Sequence, residues 1–532
     1  MPLPRAFLPL RHRVFRGLWV ATLASNIGLW IQNTGAGWLM TILDPDPMMV
    51  SLVQAASMLP VFLLGLPAGA LADIIDRRVF LIGAQAWIVA SSLVLAILAG
   101  TDSLGPWGLL ALTFAIGAGN AMNFPAWAAT TPELLPKEDL VGAIALNGIS
   151  FNIARAIGPA FGGFAIAWAG AEFAFVLNAM CFVWLIVVLV LWKPETTPRR
   201  MPPEHLVSAM RAGLRFVRAT PAMHAAILRA CTFFLFSASI WGLMPLFVRQ
   251  QLGLGAETFG LLLAASGAGA VVAGFALPLA RGRWSFDQLV FGASLLSALG
   301  MAILALSRHW APAVLGVMLF GAAWICAGAT LATAAQLACP AWVRARAIAI
   351  YQLCFFGAMA LGSVVAGWLG GKVGVAPALG MLAGAAGLAA LLTRNWRLDR
   401  GVVTLSLATP DAQPLPLPDA PAAELRGLLG ENANRVLEVV RYRIDPARRE
   451  QFLVAMREVR LVRLRGGASS WRLYEDVAHP DLYAELWAVE TWTEHLREQG
   501  RHTPEDLAVL ARAATFHPAG APEAARYLNV QP

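Results

Sequence analysis

The sequence predicts an all-α polytopic membrane protein, twelve transmembrane helices in two six-helix pseudo-repeats, followed by a C-terminal α+β domain of ferredoxin-like order. Three observations predict it. Hydrophobic residues fill 58% of the 532 positions and charged residues only 14%, against roughly 25% charged in an ordinary soluble chain; too little polar surface remains to cover a soluble protein of this size. Stretches free of Asp, Glu, Lys and Arg recur at or above the ~20 residues that cross a bilayer. After Asp399 the composition turns polar and the hydrophobic period changes. The 48 glycines follow no triplet repeat and only five cysteines are present, which excludes collagen-like and disulfide-stapled chains.

The charge-free runs fall at Gly17–Leu43, Pro47–Ala72, Val79–Thr101, Ser103–Pro132, Leu140–Ala171 (broken only by Arg155) and Phe173–Trp192. They continue at Ala230–Val248, Thr258–Ala280, Gln288–Ser307, His309–Val343, Ala347–Gly371 and Val373–Thr393. The first run is far longer than a signal-peptide core and has no small-residue cleavage site, so it reads as a retained helix. The expected domains are an N-terminal six-helix bundle over 1–192, a cytoplasmic linker over 193–229, a second bundle over 230–396, a proline-rich linker over 397–433 and a cytoplasmic domain over 434–532.

Lys and Arg orient the chain. With the N-terminus inside, twenty of them lie in inner segments and three, Arg249, Arg308 and Lys372, in outer loops. The positive-inside rule then places both termini in the cytoplasm of a plasma (inner) membrane. The net charge of +8 is this bias itself; it calls for a lipid bilayer as partner and for no nucleic acid. Cys181, Cys231, Cys326, Cys339 and Cys354 stand singly in apolar helices without metal or redox spacing and read as packing residues. No cofactor and no metal is expected.

A shift of 204 positions aligns the two six-helix groups. Gly65 meets Gly269, Arg77 meets Arg281, Gly117 meets Gly321 and Pro136 meets Pro340, while Gly158, Gly163 and Gly170 meet Gly362, Gly367 and Gly374. A duplicated parallel six-helix unit is the architecture of two halves rocking about a site at the bilayer midplane.

Gly65-Leu-Pro-Ala-Gly69-Ala-Leu-Ala-Asp73-Ile-Ile-Asp76-Arg77-Arg78 resembles the loop between helices 2 and 3 of the major facilitator superfamily, and Gly158-Pro159-Ala-Phe-Gly162-Gly163 resembles its antiporter motif. From Arg11 to about Thr393 the chain is similar to the enterobactin-exporter, or transmembrane secretion effector, subgroup. The most similar phrases are Asn147…Ala154-Arg155-Ala-Ile-Gly158-Pro159 and Arg344-Ala-Arg346-Ala-Ile-Ala. Two departures stand out: Ala154 and Asn147 replace the motif's upstream glycines, and Leu277 stands opposite Asp73 in the second repeat. The resemblance implies a secondary transporter, not an enzyme, exporting a small siderophore-like or drug-like metabolite by alternating access against a proton counter-flow. It also implies that the Gly69–Arg78 loop clamps the two halves in one state.

Individual residues have more than one reading. Asp73, Asp76, Arg77 and Arg78 are either ordinary positive-inside decoration or a latch. In the latch Asp73 caps another helix's N-terminus and Arg77 pairs with Glu133, the acid available near the end of helix 4. Arg155 is the one charge deep in a run, where it costs at least ~2.5–3.5 kcal/mol and persists mainly against a cavity or partner. It either bonds backbone carbonyls or meets an anionic or phenolate-like substrate, on a stripe with Gly148, Asn152, Pro159 and Gly162. Asn26, Trp30, Asn33 and Gly37 share one face of helix 1, and Asn120, Asn123 and Trp127 one face of helix 4. These stripes are interhelical hydrogen-bond sites or the polar, aromatic lining of a substrate path, to which Trp241 and Trp324 would add stacking surfaces. No Asp or Glu lies deep in any run, and no Walker-type loop indicates ATP.

Beyond the prolines of Thr409–Pro421, strands are expected at Arg435–Ile444, Ser469–Val477, Tyr483–Trp492 and Arg526–Val530. Helices are expected at Pro446–Arg465, Trp492–Gln499 and Pro504–Ala514. That order is the ferredoxin-like unit. Through Glu490-Thr-Trp492-Thr-Glu494-His495-Leu496-Arg497 it resembles the antibiotic-biosynthesis-monooxygenase-like fold. That resemblance implies dimeric pairing, and some relatives place a haem-ligating or pocket histidine where His495 falls. On its own a helical histidine is a surface or core residue, and His479, His502 and His517 form no metal spacing. Val439, Leu473, Leu486 and Trp487 are expected to line an uncovered sheet face. A rival reading is a membrane-anchored oxidoreductase or sensor whose tail carries the activity.

Overall fold

The structure is a computed structural model that describes residues 5–130, 134–136, 138–192, 206–340, 343–398 and 436–492, then 495, 498, 502, 504–518 and 522–528. The long apolar helices are α1 (Arg13–Leu43), α2 (Pro47–Ile74), α3 (Arg77–Gly100), α4 (Pro106–Thr130) and α5 (Leu140–Leu191). After α6 (Leu206–Ala219) come α7 (Pro221–Leu246), α8 (Ala256–Arg281), α9 (Phe286–Leu306), α10 (Trp310–Leu337), α11 (Arg344–Val373) and α12 (Val375–Thr393). Among the described residues, ten helices are long and apolar enough to cross a membrane.

Polar side chains start several of them. Asp46 accepts from Met48 N at 2.7 Å with Pro47 at the first helical position of α2. Asp76 does the same for α3 through Val79 N at 3.0 Å, and Ser285 and Gln288 form a capping box on α9; each satisfies amides a helix start leaves unpaired. The runs 140–171 and 173–192 join in α5, a 52-residue helix broken in conformation only at Gly170, φ +85°. Gly374, φ +88°, separates α11 from α12. Both glycines occupy a left-handed backbone that L side chains avoid, and they are partners in the 204-residue alignment.

The largest departure from the charge-free runs is at the start of α7. α7 starts at Pro221 and absorbs Arg229, because Arg229 is 4% exposed and bonds Asp287 in the first turn of α9. The stretch expected as a plain linker holds α6.

The chain packs as two compact units. One comprises Met1–Pro203, Ala226–Thr333 and Tyr351–Arg397. Its main core runs through Ile31, Trp38, Phe175, Phe247, Phe259 and Phe320. The other comprises Glu204–Ala225, Ala334–Ile350 and Leu398–Pro532. In it, β1 (Val436–Arg443), α13 (Arg449–Gly466), β2 (Ser470–Glu475), β3 (Leu482–Val489), α14 (Pro504–Ala514) and β4 (Glu523–Leu528) follow one another. The strands form an antiparallel sheet of order β2-β3-β1-β4. α13 lays Phe452, Met456, Val459 and Val462 on one sheet face, and Arg215 of α6 pairs with Glu490 at 2.9 Å.

The register corrects the expected open face. Val439 pairs with Leu486, but Trp487 pairs with Glu438 and Leu473 with Glu485. Side chains alternate along a strand, so Leu473 and Trp487 point to the helix-covered face, where Trp487 is 2% exposed. β3 stops at Val489, and Trp492 already belongs to the next helical stretch.

Candidate functional site

Of the aromatic residues expected to line a path, Trp30, Trp241 and Trp324 meet in one array, while Trp127 packs against a separate cluster with Leu81 and Leu185. Trp30 of α1 lies 5.6 Å, centroid to centroid, from Trp241 of α7, which lies 5.7 Å from Trp324 of α10. Phe320 stands 6.1 Å from Trp241 and Phe234 4.9 Å from Trp324, with Phe355 of α11 4.3 Å beyond Phe234. Phe151 of α5 caps the other end, 6.4 Å from Trp30. Edge and tilted contacts of this kind suit ring quadrupoles. Trp241 Nε1 is shielded from solvent and donates to no group among the described residues, so the array contains an unused N–H donor. Phe234, Phe320 and Phe355 were not singled out in the sequence. Their signal was there: Phe320 and Trp324 are one helical turn apart, as are neighbours on any helix face.

The amides divide. Asn26 donates to Ser150 Oγ of α5 at 3.4 Å and Asn123 accepts from Gln85 Nε2 of α3 at 2.9 Å; these two are interhelical bonds. Asn120 and Asn152 instead donate to carbonyls one turn back on their own helices, Ile116 at 3.2 Å and Gly148 at 2.8 Å. Asn33 is half-buried on α1. Arg155, 7% exposed, donates to Asn152 Oδ1 at 3.3 Å. That is its one hydrogen bond among the described residues, and no carboxylate there neutralises it. Within the expected stripe, Gly148 O accepts from Asn152 and Asn152 Oδ1 accepts from Arg155. A buried guanidinium has five N–H donors and this one uses a single bond, which leaves it able to bind an anion bidentately.

The Gly158-Pro159-Ala-Phe-Gly162-Gly163 segment works on two sides. A Cβ at Gly158 would stand 2.6 Å from Trp30 Cβ and one at Gly162 3.1 Å from Thr34 Cβ, so these glycines let α5 press on α1. A Cβ at Gly163 would stand 2.6 Å from Ala256 O and 2.9 Å from Gly260 Cα of α8. The same end of the bundle is tied by Arg249, which bonds Thr41 O and lies 3.2 Å from Thr41 Oγ1, and by Gln250 bonding Pro45 O at 3.3 Å. Helices before and after α6 are thus closed against each other where α1 and α7 end.

The loop residues are placed differently from the expected latch. Only Ile75 and Asp76 lie between helices; Gly69 and Asp73 belong to α2, Arg77 and Arg78 to α3. Asp76 caps its own helix. Arg78 bonds Leu189 O at 2.9 Å and also Val190 O, at the end of α5, where a cation suits the negative end of a helix dipole. Glu133 lies outside the described residues. At the repeat-related position Arg281 bonds Ala329 O at 3.1 Å and Thr333 Oγ1 at 3.2 Å on α10.

The second unit buries a polar set that composition did not reveal. Glu485, fully buried, accepts from Arg463 Nε, Trp471 Nε1 and Tyr442 Oη, each at 3.0 Å. Arg463 lies 3.7 Å over the Trp487 ring. Glu498 accepts from Trp487 Nε1 at 3.3 Å, and burial pushes its carboxyl up to about 7 although the nearby Arg463 opposes the rise.

Comparison with known proteins bears on the chain's family and fold. The family described as transmembrane secretion effector matches residues 5–531. The MFS-type transporter YfiS of Bacillus subtilis (strain 168) is 25% identical over 295 residues, 52% of this chain and 69% of that protein. The staphyloferrin A transporter of Staphylococcus aureus (strain NCTC 8325 / PS 47) is 23% identical over 291 residues, 53% of this chain and 71% of its own length. Among solved structures, a bacterial homologue of the human lysosomal transporter Spinster, inward-facing and unoccupied, superposes with a TM-score of 0.55 at 14% identity. It covers 76% of this chain and 96% of that one, and shows likeness of fold.

Proposed function

The chain belongs to the transmembrane secretion effector family of major facilitator transporters, and from that premise we propose that it exports small, aromatic, anionic molecules of the siderophore or drug-like class by alternating access. Its activity is transport of small molecules, not catalysis. The observation that carries the substrate class is the Trp30–Trp241–Trp324 array, with its unused indole N–H. It joins helices from both sides of α6 at a separation that rocking halves would change. Arg155, held by Asn152 and with no acid paired to it among the described residues, supplies the anion-binding charge. Stacking would select a flat ring, and the guanidinium a carboxylate or phenolate beside it.

In this reading α5 crosses twice about Gly170, giving twelve crossings in two six-helix halves, 1–192 and 230–396, with both termini cytoplasmic in the plasma membrane. Proton counter-flow drives export. The 193–229 and 397–433 segments are linkers. Residues 434–532 form a cytoplasmic ferredoxin-like, monooxygenase-like domain that pairs with a second copy; the β2-β3-β1-β4 order supports the ferredoxin-like assignment. The Gly69, Asp73, Asp76, Arg77, Arg78 and Glu133 set acts as a latch in the state open at the opposite end. The arginines of this loop and its repeat bond within their own halves, Arg78 at the end of α5 and Arg281 on α10, and the latch is proposed on the family resemblance of the loop.

Accumulation of catecholate and hydroxycarboxylate siderophores and of aromatic dyes, in cells with and without the protein, tests the proposal. Expected is lower retention with the protein, abolished by a proton uncoupler and weakened by Trp241→Ala and Arg155→Gln. Equal retention of every compound class with and without the protein, at verified membrane expression, would refute export of this class.

A further inference from the structure

The buried polar set in the second unit contains a cluster that transport does not use. Glu438 of β1 and His495 and Glu498 of the helical stretch after β3 each bring one metal-ligand atom within 4.8 Å of the other two. All three are buried, at 2%, 1% and 2% exposure. His495 and Glu498 stand three residues apart on one helical face, and β1 places Glu438 opposite them, so strand pairing and helix pitch together make the cluster.

Its hydrogen bonding is incomplete. His495 Nδ1 and Glu438 Oε1 are in direct contact, so this ring nitrogen and this carboxylate face one point. His495 Nε2 and Glu498 Oε1 are both shielded and bond to nothing among the described residues. Buried polar atoms are nearly always paired, and an exception calls for a water, an ion or a function. Neighbouring charges are already engaged: Arg463 serves Glu485, while Arg526 lies 3.8 Å from Glu438 Oε2. There is also space. Gly466, the last residue of α13, has no side chain where a Cβ would stand 3.6 Å from Glu498 Oε1 and 3.8 Å from His502 Nε2.

We infer that Glu438, His495 and Glu498 form a binding site for a divalent first-row metal ion in the C-terminal domain. One imidazole and two carboxylates suit zinc, iron or manganese; with Glu438 already against Nδ1, that nitrogen and the two carboxylates would hold the ion, which would also give Glu498 Oε1 a partner it lacks among the described residues. The sequence offered no metal spacing because two ligands sit on a helix next to a strand and the third lies on β1.

The test uses the full chain, purified in detergent without a polyhistidine tag, loaded with Zn2+ or with Co2+ and desalted. Expected is about one retained Zn2+ per chain and a visible Co2+ absorption band, both lost in His495→Ala and in the isosteric Glu498→Gln. A loss of affinity of at least about tenfold is expected of either change. The exposed control His479→Ala should bind as the parent does. No retained metal in the parent, or retention unchanged in Glu498→Gln, overturns the site; the unpartnered Glu498 oxygen would then carry a proton. If His495→Ala misfolds, Glu498→Gln alone decides.

Discussion

Gly163→Ala should open the end of the bundle where α1 and α7 finish. The new Cβ would meet Ala256 O at 2.6 Å and Gly260 Cα at 2.9 Å. Ordinary contact begins near 3.4 Å, so α5 and α8 would have to part there by roughly 0.8 Å, and neither obstacle is a flexible side chain. Overpacking of this kind costs about 1–3 kcal/mol. The contact joins helices on either side of α6, so the penalty falls on the state closed at that end and not on the opposite state. A difference of that size shifts a two-state equilibrium by about 5- to 150-fold. Spin labels at the exposed Asp46 and Gln250, in a chain with its five cysteines replaced, would read it by pulsed dipolar spectroscopy. The alanine variant should gain a long-distance population at the expense of the short one, and turnover should fall because the cycle needs both states. Two controls separate this from general damage. Gly148→Ala, on the same helix with nothing within 4 Å of the new Cβ, should change neither distance nor turnover. Gly162→Ala presses on Thr34 and Ile31 of α1 and should lower thermal stability without moving the distance distribution. Identical distance distributions in Gly163→Ala and the parent chain would refute the argument that this glycine pair sets the conformational balance.

Other expectations follow from single contacts. Reporter fusions at Pro45 and Gly170 should be active outside the cell and fusions at Thr197 and Gln413 inside; any reversal contradicts the twelve-crossing orientation. Arg155→Gln should reduce transport of an anionic substrate by tenfold or more while sparing a neutral aromatic dye, in line with the several kcal/mol a buried charge contact carries; equal effects on both would make Arg155 structural. In the second unit, Arg449 Nη2 at 2.8 Å and Tyr483 Oη at 2.7 Å hold the Glu475 carboxyl below its ordinary value. A depressed carboxylate stabilises fully above its unfolded pKa and loses that contribution as pH falls through the folded one. The stability deficit of Glu475→Gln should therefore be constant above about pH 5 and close below about pH 4, as read by thermal unfolding of the two chains across pH. A deficit that persists unchanged at pH 3 would show that Glu475 acts through packing.

Why some of this was legible and some was not comes down to where each balancing group lies in the chain. In a membrane helix the charges that end a span are local, so Asp76 before α3 and Arg281 at the end of α8 marked those boundaries within two or three residues. Gly170 and Gly374 were visible as repeat partners because a left-handed backbone tolerates little else at either copy. α7 was misjudged for the opposite reason: Arg229 looked like an end because Asp287, which makes its burial tolerable, lies 58 residues away. By spacing alone, His495 was unreadable in the same way, although the family resemblance had marked its position. A histidine at helical spacing says little until the fold sets Glu438 against one ring nitrogen and leaves the other unmatched. Leu473 and Trp487 were assigned to the wrong sheet face because one residue of register reverses every side chain along a strand, and register follows from pairing partners, not from composition. The same physics separates the two halves of the functional reading. Trp30, Trp241 and Trp324 could be named in advance because apolar helices can face aromatic rings only to lipid or inward. That they converge, with Arg155 bonded to Asn152 alone among the described residues, depends on how α1, α7 and α10 pack. The glycines of α5 set how closely α1 and α8 approach it, so a substitution at Gly163 should move the conformational balance while one at Gly162 should cost stability alone.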